Sequence, residues 1–431
     1  MTTTITRLQA RRVWDSRGRP TVEAQVTLSG GDTGRAIAPA GASRGRREVV
    51  DLRDGGAALG GMGVSGALAA VDEVLAPLLT GCDAADQAGC DAAMLAADGT
   101  PNLSRLGGNA VVAVSLALAH AVAAARDLPL WAHLAAVTGQ LPSVPLPEVQ
   151  IFGGGAHAGR RIDIQDLMVM VPGAASLDEA LAITAEIYHA GGAIMAARGR
   201  LHGVADEGGW WPDFASNEEA LETLLEAIHR AGETPGDRVV VSLDIAASEF
   251  GRDGRYALAL DSREMGRAEW QSVLARWCAT YHVAAIEDPM AEDDPAGMMA
   301  FTAAQGARMQ VIGDDYLVTD ARLIAQAARD GACNATLIKV NQCGTLTAAL
   351  AADAAARDAG WGRIVSARSG ESEDVSIVHL ATGLGTGQLK VGSMARSERG
   401  AKWNEALRIA DQGVPFAGGA ALGNTWWGTT R

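Results

Sequence analysis

The sequence is short of several features that would mark particular classes of protein. Lysine is scarce, with three lysines among the 36 basic residues, and we attribute this bias towards alanine, glycine and arginine to genome composition. The basic residues are outnumbered by 51 acidic ones, which gives a net charge of −15. Because nucleic acids are bound by basic faces, we expect no nucleic-acid partner. The net charge does not exclude a small anionic substrate, because such a substrate interacts only with the local charge of lysine, arginine or metal ions.

Long apolar runs and metal-binding cysteines are also missing. The first residues, MTTTITRLQARR, have no apolar core of the secretory type. The longest apolar stretch, 110–125, is interrupted by Ser115 and His120 and is too short to cross a bilayer, so we expect a buried helix and no membrane partner. The 5 cysteines are odd in number and lack zinc-ligand spacing, which favours free thiols in the cytoplasm.

Six short apolar runs in the second half of the chain each end in a polar or charged residue. Neighbouring runs are separated by the length of one strand with its return helix and two loops, roughly 25–40 residues. The carboxyl ends of consecutive parallel strands share one edge, and in a βα-barrel this edge holds the catalytic groups. The residues at these ends are Asp244, Glu287, Asp314, Lys339, Arg368 with Ser369, and Lys390.

The chain of 431 residues is longer than one barrel, which takes about 250 residues. Residues 4–29 alternate as two strands, and 63–79 and 107–136 have helical spacing with Asn109 as a cap. A proline-rich segment at 139–149 separates the two parts. We predict an α+β domain at 1–138, with a three-stranded antiparallel sheet and helices, and an α/β barrel at 139–431. The glycine-rich tail from Gln412 gives no assignment.

The acids Asp244, Glu287 and Asp314 predict a magnesium site, because Mg²⁺ prefers carboxylate oxygens. Three such groups without a cation would repel one another and raise each other's pKa. The alternative is that each acid caps a following helix or faces solvent.

Lys339 and Lys390 end otherwise apolar strands, so their side chains either point into the opening at that end of the barrel or are paired with an acid. Beside another ammonium and a divalent cation, a lysine loses its proton more easily and can act as a base. The alternative is a structural ion pair with one of the acids. Arg368 and Ser369 offer a guanidinium and a hydroxyl to an oxyanion such as phosphate, although the run ARSGESED is also compatible with a polar loop.

Two loop residues are further candidates. Glu207, in the turn Asp206–Gly209, can act as a general acid if it is desolvated, and is otherwise a solvated loop acid. His157 lies in the run GGAHAG, where its spacing does not separate a metal ligand from an acid–base residue or a simple loop histidine.

With these residues in place, the sequence resembles the enolase family over nearly its whole length. The resemblance implies an N-terminal capping domain and a C-terminal βα-barrel whose first units depart from simple βα order. The motifs that carry it are DSRGRPTVE, PAGASRG, GGNAVVAVSLALA, HAGR, DEGG, LDIAASEF, IEDPM, GDDYLVT, LIKVNQCGTL, RSGESED and GQLKVGSMARSERGAKWNEALRI.

The resemblance also implies a role for each matched position. Asp244, Glu287 and Asp314 match the ligands of a first Mg²⁺, and Ser43 matches the loop serine that closes over a second. Lys339 matches the base that removes the C2 proton, and Glu207 the acid that assists departure of the 3-hydroxyl. Lys390 matches the lysine facing the substrate carboxylate, and Arg368 and Ser369 the phosphate clamp. His157 and Gln165 match other pocket positions.

Several positions depart from the family pattern near the phosphate and the leaving group. Enolases have histidine where this chain has Ala367, and glutamate where it has Asp166. The departures elsewhere are Ala40 and Arg44 in the loop usually written SGAST, Gly153 in the usual NGG, Trp210 and Trp211 after DEGG, and Arg19 in the usual RGNP. Losing the histidine ring opens space beside Arg368, Arg44 adds a cation to the loop, and Asp166 is one methylene shorter.

These matches lead us to expect a lyase that uses one or two Mg²⁺ and eliminates water from a small phospho- or phosphono-carboxylate. The altered lining favours a carboxyphosphono analogue of 2-phosphoglycerate, with carboxyphosphonoenolpyruvate as product. The alternatives are an ordinary enolase acting on 2-phosphoglycerate, and a non-catalytic enolase-like binding protein. We expect a homodimer or a higher homo-oligomer.

Overall fold

A computed structural model describes residues 2–429 and begins with a three-stranded antiparallel sheet. Strand β1 (Ile5–Trp14) pairs with β2 (Pro20–Leu28), and β2 pairs with β3 (Thr33–Ile37). Asp15 shapes the turn after β1, because its Oδ1 accepts the backbone N–H groups of Arg17 and Arg19, each at 2.8 Å. The sheet predicted for this part of the chain is confirmed.

Helices follow the sheet. They are α1 (Ser65–Ala69), α2 (Ala76–Leu79), α3 (Gln87–Asp98), α4 (Gly108–Ala125) and α5 (Leu130–Thr138), with a π-helical turn at Ala70–Leu75 and a 3₁₀ turn at Ala58–Gly61. The prediction that Asn109 caps α4 is wrong, because Gly107 occupies the cap. The Asn109 amide instead bonds both backbone groups of Leu52, at 3.2 and 3.1 Å, and so ties the start of the helix to the preceding loop.

Two helices are long and apolar enough to cross a membrane by length and composition alone. Helix α4 has 18 residues with 83% of them buried, and the helix Leu177–Ala197 has 21 residues with 50% of its apolar window buried. A span needs about 17–25 residues; the predicted stretch 110–125 falls short of this, but the helix also includes Gly108 and Asn109 and so reaches that range. Burial inside the protein, rather than length, supports the expected core helix.

Up to residue 429, the second part of the chain forms eleven strands, eight of which close a barrel. They are β4 (Leu146–Gly153), β5 (Asp166–Met170), β6 (Val240–Asp244), β7 (Gly251–Arg252), β8 (Arg255–Leu258), β9 (Arg263–Gly266), β10 (Val283–Glu287), β11 (Gln310–Gly313), β12 (Ala335–Ile338), β13 (Gly362–Ser366) and β14 (Gly387–Gly392). Strands β7–β9 form a separate small sheet.

The barrel order is β10-β11-β12-β13-β14-β4-β5-β6, and most neighbours are parallel. Strand β5 is the exception, because it runs antiparallel to both β4 and β6. The departure from simple βα order that the resemblance implied is therefore confirmed. The barrel strands are buried on both faces, which explains why they are near-continuous apolar runs rather than alternating ones.

Further helices belong to this part of the chain, and all but the last two lie between its strands. They are α6 (Leu177–Ala197), α7 (Asn217–Arg230), α8 (Arg267–Thr280), α9 (Pro295–Gln305), α10 (Ala321–Asp330), α11 (Val340–Cys343), α12 (Leu346–Asp358), α13 (Ser376–Leu384), α14 (Ser397–Ala410) and α15 (Trp426–Thr429). Side-chain caps start several of them, as at α6, where Ser176 Oγ accepts the N–H of Glu179 at 3.1 Å.

The C-terminal tail, which the sequence left unassigned, closes the amino-terminal end of the barrel. Leu422 and Trp427 are buried in a cluster with barrel-strand residues such as Leu146 and Met170. The indole N–H of Trp426 donates to the carbonyl of Val283, at the start of β10, at 2.9 Å. We call this cluster the barrel floor.

Candidate active site at the barrel mouth

The residues predicted at the strand ends meet at the opposite end of the barrel, the mouth. Glu287 ends β10, Asp314 and Lys339 directly follow β11 and β12, and Lys390 lies within β14. A cavity of about 350 Å³ lies at the mouth. It is lined by Gly41, Ala42, Ser43, His157, Gln165, Asp166, Glu207, Asp244, Lys339, Ser366, Ala367, Arg368, Ser369, Lys390 and Val391.

Lys390 is the centre of a buried group of acids. Its Nζ lies 2.8 Å from Asp244 Oδ2, 2.6 Å from Glu287 Oε2 and 3.4 Å from Asp166 Oδ2. Gln165 donates a further hydrogen bond to Asp244 Oδ2 at 3.1 Å. Burial lowers the pKa of Lys390, but the charges of Asp244 and Glu287 outweigh burial and raise it well above the usual value. Burial, followed by the charge of Asp244, raises the pKa of Glu287.

Lys339 has a comparable but simpler environment. Its Nζ lies 2.5 Å from Asp314 Oδ2, and the other oxygen of Asp314 accepts from Gln342 Nε2 at 2.8 Å. Thr319 links Gln342 to Lys339, because its hydroxyl donates to Gln342 Oε1 and accepts the backbone N–H of Lys339. Burial lowers the pKa of Lys339, and Asp314 and Glu287 raise it above the usual value. Both lysines therefore line the mouth and form the ion pairs that the sequence left as an alternative.

A second group lies across the mouth from Lys339. His157, in the turn after β4, places Nδ1 2.9 Å from Asp166 Oδ1 and Nε2 3.6 Å from Glu207 Oε1. Asp166 reaches the mouth because it begins β5, the strand that runs in the opposite direction. Burial lowers the pKa of His157, but Glu207 and Asp166 outweigh burial and raise it to about 9. The imidazole is thus held as a cation between two acids.

The Arg368 guanidinium is fixed from the loop side. It donates to Glu48 Oε2 at 2.9 Å, to Asn341 Oδ1 at 3.0 Å and to the carbonyl of Ser43 at 3.2 Å. The loop passes so close that a Cβ at Gly41 would lie 2.0 Å from Nη2 of Arg368. The loop at 39–48 therefore packs against the arginine, and a larger residue at position 41 would displace it.

Arg44 is the predicted pocket residue that the structure places elsewhere. It pairs with Asp51 at 2.7 Å and lies in a smaller cavity on the far side of Arg368. Its predicted contact with substrate stays a prediction. Ala367, by contrast, lines the main cavity beside Arg368, and Ser369 accepts a hydrogen bond from the Arg17 guanidinium at 3.3 Å.

The donor set at the mouth fits a hard divalent cation such as Mg²⁺. Asp244, Glu287 and Asp314 are buried carboxylates, and Glu287 Oε1 has no hydrogen-bond partner within the described part of the chain. Such an orphaned oxygen is costly unless it is paired or binds a metal ion. Among residues 2–429, the acid and histidine groups that bring ligand atoms within 4.8 Å of one another are His157–Asp166–Glu207 and Asp288–Asp314–Asp315. The Lys390 ammonium bridges Asp244 and Glu287 instead.

Sequence reasoning missed the residues that hold these groups in position. They include Glu48 behind Arg368, Gln342 behind Asp314, and Gln150 behind Asp166. Asp288 accepts the backbone N–H groups of Asp314 and Asp315, at 2.9 and 2.8 Å, and burial, followed by the charge of Asp314, raises its pKa to about 8. The available signal for Gln150 was a polar residue in a barrel strand directly between the apolar residues Val149 and Ile151.

Comparison with family models decides the assignment. The model for the enolase N-terminal domain matches residues 5–134, and the model for the enolase C-terminal TIM barrel domain matches residues 142–421. The chain belongs to the enolase family. It is accordingly a hydro-lyase of the enolase superfamily, and membership implies a small phospho-carboxylate substrate. Enolases typically use Mg²⁺, and the acidic groups at this mouth are suited to such an ion.

Proposed function

We propose that this enolase-family protein removes water from a 2-phosphoglycerate-type substrate whose phosphorus carries a carboxylate in place of one phosphoryl oxygen. The product is then carboxyphosphonoenolpyruvate, an intermediate suited to the biosynthesis of phosphonate natural products. The supporting observation for this substrate is the small side chain of Ala367, which lines the cavity directly beside the Arg368 guanidinium.

The cavity provides a group for each step of the elimination. Lys339 is positioned to take the C2 proton, and the C2–H electron pair then forms the C2–C3 double bond. Glu207 is positioned to give a proton to the departing 3-hydroxyl, so the C3–O bond breaks and water leaves. Arg368, Ser369 and the nearby Arg17 guanidinium bind the phosphorus group. Lys390 faces the substrate carboxylate.

Asp244, Glu287 and Asp314 are the residues that would hold Mg²⁺ in this proposal, with Ser43 and the loop around it as the candidates for a second ion. Bound there, the metal supplies positive charge that stabilises the dianion formed when the C2 proton leaves. Asp314 holds the proton on Lys339 in the structure described here. Lys339 therefore becomes a better base when the charge of that carboxylate is neutralised.

In this proposal, Ala367 is the residue that favours the carboxyphosphono substrate over 2-phosphoglycerate. Its side chain is one methyl group, so in this proposal a carboxylate on phosphorus takes the place that a histidine ring would fill, and Arg17 supplies a second guanidinium near Ser369 for the added charge. An ordinary phosphate would leave that space to water. The loss of contact on one side weakens binding of 2-phosphoglycerate relative to the larger analogue.

The direct test compares both substrates with purified protein and Mg²⁺, measured as formation of the enol product. We expect turnover of the carboxyphosphono analogue in the range of ordinary enzymes, about 1–1000 per second, and much slower turnover of 2-phosphoglycerate. The opposite order makes the protein an ordinary enolase. Absence of turnover with both, together with unchanged behaviour of Lys339→Ala, favours a non-catalytic binding protein.

A matched variant separates the pocket from the chemistry. In Ala367→His the ring refills the space beside Arg368, so turnover of the carboxyphosphono analogue should fall while turnover of 2-phosphoglycerate is kept or rises. An equal loss with both substrates would contradict the assignment of this side chain to substrate choice. Cytoplasmic location and assembly as a homodimer or higher homo-oligomer belong to the same proposal and are tested by fractionation and by mass measurement in solution.

A further inference from the structure

Gln150 is a buried polar residue of the barrel that no step of the reaction uses. It lies on β4 and is fully enclosed. Its Nε2 donates to Asp166 Oδ1, and its Oε1 accepts the backbone N–H of Gly209 at 2.9 Å. Gly209 is two residues beyond Glu207, in the same turn. The amide therefore joins the acid that holds His157 to the turn that carries the candidate general acid.

The two contacts fix the orientation of the Gln150 amide. A carboxylate accepts only, and a backbone N–H donates only. Rotating the amide by half a turn would direct its oxygen at Asp166 and its NH₂ group at the N–H of Gly209, and both contacts would become repulsive. The side chain is therefore held in one orientation, and it keeps Asp166 at a fixed distance from the turn that carries Glu207.

The surroundings of Gln150 are shaped to admit a side chain of this length. A Cβ at Gly209 would lie 2.4 Å from Gln150 Oε1, and a Cβ at Gly153 would lie 3.0 Å from the same atom. Substituting either glycine would push the amide away from its partners. Gly153 stands where the family pattern has asparagine. The space left by the missing side chain therefore distinguishes this site from the usual family site.

Asp166 explains why the contact matters. The family pattern has glutamate there, and aspartate is one methylene shorter. Asp166 Oδ1 accepts from both His157 and Gln150, while its Oδ2 faces Lys390 at 3.4 Å. The carboxylate thus needs a partner that reaches towards it from β4. A displacement of about 1 Å at such a group can cost about a hundredfold in rate.

We propose that Gln150 is a positioning residue whose length compensates for the short Asp166 and sets the distance from the His157–Asp166 pair to Glu207. This inference rests on the proposed elimination, because Glu207 is placed there as the acid for the leaving hydroxyl. Gln150 is not among the residues that line the cavity. Its position affects the step that breaks the C3–O bond. It does not affect removal of the C2 proton by Lys339, which lies on the opposite side of the mouth.

The test is a double-mutant cycle with Gln150→Asn, Asp166→Glu and both together, made in the full chain with Mg²⁺. Two rates are measured with whichever substrate the wild type turns over: exchange of the C2 proton with solvent deuterium, and formation of the enol product. We expect Gln150→Asn to lower product formation by about a hundredfold, because the acid side shifts by about one bond length. C2 exchange and KM should change little.

Restoration of length provides the decisive comparison. Adding Asp166→Glu to Gln150→Asn returns the missing methylene from the other partner, so the double variant should recover much of the lost product formation. Gln388→Asn is the matched control, because Gln388 is also a buried barrel glutamine and bonds Gln310, away from the mouth. It should lower the melting temperature without altering the ratio of elimination to exchange.

The outcomes that overturn the inference are specific. Product formation by Gln150→Asn at the wild-type rate, or a double variant no better than Gln150→Asn, excludes a positioning role. If Gln150→Asn does not fold, the apolar near-isostere Gln150→Met, which keeps the volume and loses both bonds, replaces it as the single variant, and it should likewise lower product formation while C2 exchange is retained. If the wild type shows neither exchange nor elimination, the proposed function fails, and non-additive melting temperatures across the cycle then test the coupling of Gln150 and Asp166 by themselves.

Discussion

The two ends of the barrel are built on opposite principles. At the mouth, Lys390 alone contacts three buried carboxylates, and Glu287 keeps an oxygen without a partner among the described residues. At the barrel floor, Leu422 and Trp427 fill an apolar cluster with the starts of the strands. Buried charges cost stability unless they are paired, whereas apolar packing supplies it. The comparison separates an end that carries the chemistry from an end that carries the stability, as expected for a barrel of this kind.

Removing the candidate base should produce the largest effect. Lys339→Ala deletes the group placed to accept the C2 proton, and general-base catalysis contributes about 10²–10⁴-fold in rate. We therefore expect a loss of kcat of that order, with deuterium exchange at C2 lost in parallel. Solvent exchange followed by NMR measures it. Retained exchange would place the base elsewhere in the mouth.

Glu287→Gln should remove the response to Mg²⁺. The change keeps the shape of the side chain and removes one carboxylate of the candidate site. In the wild type, Mg²⁺ at about 100 times its Kd should stabilise the fold by about 2.7 kcal/mol through mass action. We expect the Mg²⁺-dependent rise in melting temperature to disappear in the variant. Potassium chloride titrations of both proteins control for ionic strength, and an unchanged Mg²⁺-dependent rise in the variant would mean that the ion binds at other residues.

Trp427→Ala should have the converse effect at the barrel floor. The indole is buried and its N–H donates to the carbonyl of Asp237. Truncating a buried tryptophan costs about 3–5 kcal/mol, so denaturant unfolding should show a loss of that size. Well below the melting temperature, kcat and KM should be unchanged. A large fall in kcat would show that the two ends are coupled and that chemistry and stability are not divided between them.

The smallest effect should appear at an ion pair between two helices, His379 on α13 and Glu405 on α14. The hydrogen bond from His379 lowers the pKa of Glu405 from 4.5 to about 2, with burial opposing. A carboxyl whose folded pKa is depressed stabilises the fold above its unfolded pKa, and this contribution is lost as the pH falls from about 4.5 towards 2. Glu405→Gln should therefore flatten the fall in melting temperature in that window. An unchanged curve would assign the acid sensitivity to other groups.

The strand-end pattern predicted the mouth from the sequence because spacing and polarity repeat together. The acids, lysines and Arg368 each end a run that is apolar for a physical reason, namely burial on both faces of the barrel strands. Asp166 could not be placed in this way, because it begins a strand that runs in the opposite direction. Its position at the mouth followed from the family resemblance alone.

Other features depend on contacts that no local pattern carries. Glu48 and Gln342 are distant in sequence from the groups they hold, and their types suit an exposed loop equally well. Asn109 has the residue type of a helix cap, but tertiary contact with Leu52 overrides that preference. The position of the tail could not be predicted from the sequence, because its tryptophans and leucine pack against the floor of the barrel, a surface that exists only once the barrel has closed.

Glu48, in the amino-terminal part of the chain, accepts a hydrogen bond from Arg368 of the barrel, and this contact limits how the protein can be divided into fragments. Gly41, Ala42 and Ser43 complete the wall of a cavity whose other residues come from the barrel. A fragment starting after the proline-rich segment would retain the three carboxylates proposed for the first Mg²⁺ and both lysines of the mouth. It would nevertheless leave the anion clamp unsupported, so two separately expressed fragments should need to reassemble before either regains the chemistry.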